Sequence, residues 1–497
     1  SITINVHRDP ASLDPLETTS FATHYRLGPS YNRLIDWKTG PEVGYGEFVP
    51  EPSLAEEWTV SADGLTLTLD LEDDAVWHDI PPVNGRPFAA ADVVATLEAI
   101  KADGVQKGLL AQVESIEAPD DDTVVLTLSE PFAPLIHNLA HQNMWILPEE
   151  AFDGGYDRAE TVIGTGPFVM VSNEPGVATT YERHPAYFKT GIDGEPLPYL
   201  DGLVITPLTD LNARINAFRS GQLDVWFGPL NTQQLEAMQQ AMPDLQVVRT
   251  IANTQTEMFL NPSVEPLGDL RVRKAINEAI DRMNMGRVVR GGGEPGGIVA
   301  PALAAYSLPD AERVELYGTP DPERAQELLA EAGYPDGFEA EMLVINFGEE
   351  FMREAEWVQQ DLAQIGIDVS LKIADRSSGL ALASEGDFEM LYLIMSPFSE
   401  AQDYFYNHFD PEGPRNYAGI DDPRLNEMIA EQRQETDDAA RIALVHEIQR
   451  YVYENVMNPL PMWAAELRHP VQGNVKGYHP VMTQGFPMLD TMYVIAE

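Results

Sequence analysis

The chain predicts an α/β protein built of more than one domain, and three observations carry that expectation. Its 497 residues exceed what one ordinary core accommodates. Residues 341–346 read as a strand and 349–365 as a helix with Phe351, Ala355, Val358, Leu362 and Ile365 on one face. Ile367, Val369, Leu371 and Ile373 then alternate as the next strand, which is the rhythm of an α/β layer. Third, residues 260–283 pass from a turn-rich lead-in (Pro262, Pro266, Gly268) into an amphipathic helix. Asp269 stands where an N-cap would, and Val272, Ala275, Ile276, Ala279, Ile280 and Met283 share its apolar face.

The remaining elements follow in order. Residues 2–6 alternate as a short strand, and Leu13-Asp14-Pro15 opens a polar stretch reaching Ser30. Asp63-Gly64 sits between β-like runs at 57–60 and 65–71 and reads as a hairpin turn. Residues 84–97 lead into the first long helix, with Asp92 near its start. Gly164-Thr165-Gly166-Pro167-Phe168 makes a tight turn; it lacks the Lys and the following helix of a phosphate loop. Residues 204–207 predict a strand and 212–220 a helix closed by Gly221, after which Trp226 either lines a cleft or packs in a core. The Gly- and Pro-rich run from Gly291 predicts a long irregular loop. Asp321-Pro322 starts a helix that Gly333 ends, and residues 441–461 give a closing helix with a proline-rich exit.

Charge excludes several partners. Acidic residues number 80 against 31 basic ones, a net charge of −49, and only seven of the basic residues are Lys. Such a chain repels nucleic acid and anionic membranes, so neither is expected as a partner. The acids are spread along the chain, a pattern that suits either screening by high salt or an ordinary acidic secreted protein. Cysteine is absent, which removes disulfides and thiol chemistry. No apolar run is long enough to span a bilayer, and no leader opens the sequence; an exported protein would appear here in mature form. His137 and His141 are four apart, but no third ligand stands at a helpful spacing, so neither a metal nor any cofactor is expected. The chain carries no GxSxG, HExxH or triad-like cluster, and an enzyme or a chaperone-like role ranks last.

The order of motifs is more specific than their periodicities. PEPSLAEEWTVSADGLTLTLDL, NGRPFAAADVVATL, GTGPF, RHPAYF, ARINAFRSGQLDV, LNPSVEPLGDLRVRKAINEAIDR and DPERAQELLAEAGYPDGFE occur in succession. Together they closely resemble the peptide/nickel class of extracellular solute-binding proteins, the large binding proteins of ABC importers. The resemblance implies a two-lobed periplasmic-binding-protein fold (type II) with a small scaffold domain inserted in the first lobe. Lobe I would comprise residues 1–43, 164–255 and 468–497, the scaffold domain 44–163, and lobe II 256–467. It further implies a monomeric periplasmic or extracellular protein that traps a small solute by hinge closure and delivers it to permease subunits.

The ligand is less clearly written. Family position makes Thr19, Phe21 and His24 cleft candidates. Met395 stands near a usual Trp, and Asn416 with Tyr417 matches a further family element. In peptide binders an Asp, often followed by Pro, pairs with the substrate's α-ammonium group; that step is missing here, and Glu400 and Asp403 are imperfect substitutes. A peptide ligand therefore leads. The alternative keeps the scaffold but takes an oligosaccharide, an opine-like compound or a metal chelate. Phe21, Trp226, Phe398, Tyr404, Tyr417 and Trp463 would then supply stacking faces.

Overall fold

The computed structural model describes residues 1–228, 230–395, 397–481 and 486–495. The chain divides into two compact units, Ser1–Arg249 with Arg468–Glu497, and Thr250–Leu467. It passes between them twice, inside the Gln246–Leu260 and Leu460–Val471 strands.

The first unit holds two four-stranded sheets. In one, Ile2–Val6 pairs in parallel with Gly202–Pro207, and the antiparallel strands Ala178–Arg183 and Phe168–Glu174 follow. Ile2, Ile4, Leu203, Ile205, Phe168 and Tyr181 face a core completed by Val471, Tyr478 and Leu489. The second sheet orders Ala55–Val60, Thr66–Leu71, Thr123–Leu128 and Val113–Glu117, all antiparallel. The expected hairpin turn is there: Gly64 adopts φ +73°, and the Asp63 carboxylate accepts the Leu65 N–H. Helix Ala90–Asp103 buries Val93, Leu97 and Ile100 beside this sheet, and Asp92 caps its start by accepting the Ala89 N–H. Inside the stretch expected as a polar loop, the chain forms a helix, Phe21–Leu27.

The Gly164–Phe168 turn is a junction. Gly166 N–H donates to the Ser30 carbonyl at 2.9 Å and Phe168 N–H to that of Pro29 at 2.9 Å. A Cβ on Gly164 would stand 1.8 Å from the Ser30 oxygen, so only glycine fits. Two buried imidazoles, His78 and His184, converge on the Gly166 carbonyl at 3.0 and 3.2 Å. Burial holds His78 neutral, down at about 3.

The second unit is built on a six-stranded mixed sheet. Its order is Gly293–Pro295, Leu460–Val471, Gln246–Leu260, Met390–Ile394, Phe338–Ile345, Ile367–Ala374. The last three strands are parallel, and Met390–Ile394 is antiparallel to the long Gln246–Leu260 strand. The expected strand–helix–strand order holds, with Glu349–Gln364 as the helix. Asp269 caps helix Leu270–Ala279 through the Arg271 N–H, and Val272, Ala275, Ile276 and Ala279 are buried as predicted. Met283 is not on that face. The helix ends when Ile280 turns extended, a new short helix begins at Arg282, and Met283 is exposed. Part of the Gly-rich run from Gly291 is ordered as the edge strand Gly293–Pro295, because it pairs with Trp463–Ala465.

Candidate ligand-binding site

The candidate residues fall into a group in each unit. In the first, Thr19 is exposed and Phe21 remains 45% exposed at the start of its helix. Phe21 meets the edge of Tyr25, whose ring packs against Phe227 at 4.8 Å and Phe486 at 4.7 Å. His24, one helix position before Tyr25, points inward. Its Nδ1 accepts the indole N–H of Trp145 at 3.1 Å, and burial pushes it down to about 4, so it is a neutral core group. Trp226 is fully buried between Phe218 and the Arg214 guanidinium, and its N–H is spent on the Gly228 carbonyl. Sequence reasoning named Phe21 but missed Tyr25, Phe227 and Phe486, which no motif marks. A cavity of about 600 Å³ in this unit, lined by Thr3, Thr206, Asn216 and Ser220 among others, includes none of the candidates.

In the second unit the candidates surround helix Ala401–Phe409. Ser396, which opens the matched SPFSEAQDY segment, lies outside the described residues. Met395 and Tyr404 are buried together with Ala300, and Phe398 covers them half-buried, edge-on to Tyr404 at 5.6 Å. Glu400 is the helix N-cap, accepting the Gln402 N–H. Its other oxygen holds the guanidinium of Arg441 in a pair that is almost completely buried. Arg441 is further fixed by the Tyr306 hydroxyl at 3.0 Å and the Gln432 carbonyl at 3.2 Å. Asp403 differs. It is partly buried and its carboxylate has no hydrogen bond or ion pair among the described residues. Burial, then the like charge of Glu400, pushes it up to about 7 against the pull of Arg441.

Two of the remaining candidates are structural. The Asn416 side chain staples its own loop, donating to the Asp410 and Ile420 carbonyls and accepting the Ile420 N–H. Trp463 donates to the Gly292 carbonyl at 3.1 Å and packs on Gly286, where a Cβ would lie 2.0 Å from its ring. Tyr417 stays half-buried, edge-on to Phe259 at 5.4 Å. The sequence reading missed the polar residues of the long strand: Asn253, Gln255 and Glu257 share one face with Phe259. The sequence marks them only weakly: they alternate with Thr254 and Thr256, so polarity alone does not tell one face of the strand from the other.

The structure thus leaves Thr19, Phe21, Phe398, Asp403 and Tyr417 accessible and commits the rest to packing. Such faces, with few charges and several aromatic edges, can hold a small solute but show no nucleophile–base pair aimed at one. Among the described residues no group of three or more His, Cys, Asp or Glu could hold a metal ion.

Comparison with known proteins agrees with this architecture. The chain is 28% identical over 502 residues to a di/tripeptide-binding protein of Pseudomonas aeruginosa, covering 94% of this chain and 90% of the relative. A glutathione-binding protein of Salmonella typhi is 28% identical over 453 residues, covering 88% and 85%. Among solved structures, HbpA2 from Haemophilus parasuis superposes with a TM-score of 0.85 at 24% identity over the whole of both chains. The profile of the bacterial extracellular solute-binding proteins, family 5, matches residues 49–417, so this chain belongs to that family of binding proteins rather than to an enzyme family.

Proposed function

We propose that this solute-binding protein captures a short peptide by closure of two lobes and hands it to the permease of an ABC importer. Lobe I would take residues 1–43, 164–255 and 468–497, with 44–163 as an inserted scaffold domain and 256–467 as lobe II. The protein would act as a periplasmic or extracellular monomer. Closure requires that the solute gain contacts in the closed state that the open state lacks.

The observation that carries the peptide reading is the contrast between two acids on one helix. Glu400 is already paired with Arg441, whereas Asp403 has no partner among the described residues. A ligand ammonium group brought to Asp403 supplies the missing counter-charge and draws the carboxyl back toward ionisation. The relatives named for di/tripeptides and for glutathione, itself a peptide, support the same class. Phe21, Phe398 and Tyr417 would supply apolar faces for side chains.

Calorimetry with a panel of di- and tripeptides, each free and N-acetylated, tests the proposal. Free peptides should bind, acetylation should weaken them about tenfold or more, and Asp403→Asn should remove that difference. Stabilisation by oligosaccharides or opines alone would retire the peptide reading.

A further inference from the structure

On the long strand Gln246–Leu260, Glu257 ends the polar stretch that begins at Asn253, just before Met258-Phe259-Leu260, and is 1% exposed. A carboxylate so buried needs its lone pairs satisfied. One oxygen is well served: the Tyr404 hydroxyl donates to Oε1, and the Gln255 amide donates to it at 3.1 Å. The other, Oε2, has no hydrogen-bond partner among the described residues and faces His408 Nε2 at 3.5 Å.

The protonation of His408 follows from its other nitrogen. Nδ1 lies 3.0 Å from the Tyr404 carbonyl, one turn back on the same helix. A carbonyl only accepts, so Nδ1 carries a proton. If the ring were neutral, Nε2 would then present a lone pair to a carboxylate oxygen inside the protein. A second proton on Nε2 turns that repulsion into an ion pair and satisfies Oε2. The ring is held for this role, stacked on Tyr404 at 4.4 Å and nearly parallel to Phe259 at 5.9 Å.

We infer that Glu257 and His408 share one proton as a carboxylate–imidazolium pair that positions helix Ala401–Phe409 on the sheet. Both are positioning residues. The other charged or titratable groups nearby are Tyr404 on the helix itself and Arg415 and Tyr417 from the following loop. Arg415 acts on both tyrosines. Its positive charge opposes the imidazolium, so Glu257 is the group that holds the proton in place. Without the proton on Nε2 the pair is lost, and the helix that carries Asp403 should loosen. That consequence for capture rests on the peptide-binding reading; the proton itself does not.

Nitrogen-15 NMR of the full chain with labelled histidines, His408 assigned through His408→Gln, tests the pair without any ligand. Both ring nitrogens should be protonated at pH 7 in wild type, and in Glu257→Gln the ring should keep only the proton on Nδ1. A neutral wild-type ring bearing its proton on Nδ1, or a ring that stays doubly protonated in Glu257→Gln, overturns the inference. Should Glu257→Gln fail to fold, the wild-type spectrum alone decides. Hydrogen exchange of residues 401–409 at pH 7 reads the positioning: it should be several-fold faster in His408→Gln than in wild type, with the sheet strands changed less. Equal exchange in the two would overturn that part.

Discussion

At the scale of single residues, the two acids that the sequence could not rank are separated by their surroundings. Glu400 and Asp403 lie three apart on one helix, yet one is spent on a buried guanidinium and the other is not. Removing one member of a buried pair leaves an uncompensated charge, so Glu400→Gln should cost about 3–5 kcal/mol in urea denaturation at pH 7. Asp403→Asn should act in the opposite sense. Its folded carboxyl sits at about 7, above the unfolded value near 3.9. That group's contribution is therefore present at acid pH and lost as pH rises through 7, so the Asn variant should melt higher than wild type at pH 8 and no higher near pH 4. Equal melting at both values would contradict the raised carboxyl. The distinction is not legible in the sequence, because Arg441 lies forty-one residues away and only folding brings it to Glu400. His24 failed for a related reason: periodicity places it on a helix but does not say that Trp145 waits on the inner side.

At the scale of elements, what was legible was whatever local chemistry dictates. Asp269 and Asp321 cap their helices through side-chain bonds to backbone N–H groups two or three residues on. Gly333 ends its helix at φ +98°. Strand Ile367–Ala374 forms as read, with Ile367 and Val369 buried, but the alternation fades toward its end, where Leu371 is half-buried and Ile373 exposed. The misses were elements that depend on distant pairing, such as the Gly293–Pro295 edge strand, which exists only because Leu460–Val471 lies beside it. The Gly164–Phe168 turn joins both kinds. Its glycines were visible in the sequence, but their reason is the Ser30 backbone pressed against them. Gly164→Ala must displace that backbone and should lower the melting temperature by about 10 °C or more, the effect of a few kcal/mol in a unit of this size. The histidines at the turn make it acid-sensitive. His78 is held at about 3, below its unfolded value near 6.5. Its contribution is complete above 6.5 and is lost as pH falls toward 3, so thermal stability should drop below pH 6. His78→Gln, which keeps a donor for the Gly166 carbonyl, should flatten that slope; an unchanged slope would remove His78 from the account.

At the scale of the whole molecule, the composition and the interior explain one another. Arginine outnumbers lysine 24 to seven because many arginines are not surface charges. Among the described residues eight are buried, and several are tied to backbone carbonyls. Arg282 reaches those of Pro461, Asn277 and Tyr317, while Arg273 reaches those of Val456, Leu267 and Gly268. A planar fork can bridge three carbonyls where a lysine ammonium acts as one point, so Arg282→Lys should destabilise by about 2–4 kcal/mol. Eight acids are buried too, but from a pool of 80. Burial therefore takes about a quarter of the cations and a tenth of the anions; the net of −49 stays entirely with the remaining groups, but acids outnumber bases among them more heavily than in the whole chain. Like charges on a compact surface repel, and that repulsion is screened once the Debye length falls from about 10 Å at 0.1 M salt to about 3 Å at 1 M. The melting temperature should consequently climb steeply from 0.1 to 1 M KCl and flatten beyond. Sucrose, which strengthens burial without screening, should not reproduce the steep part. A flat response to KCl would mean that the acids are already balanced by local contacts, and the high-salt reading of the composition would fall.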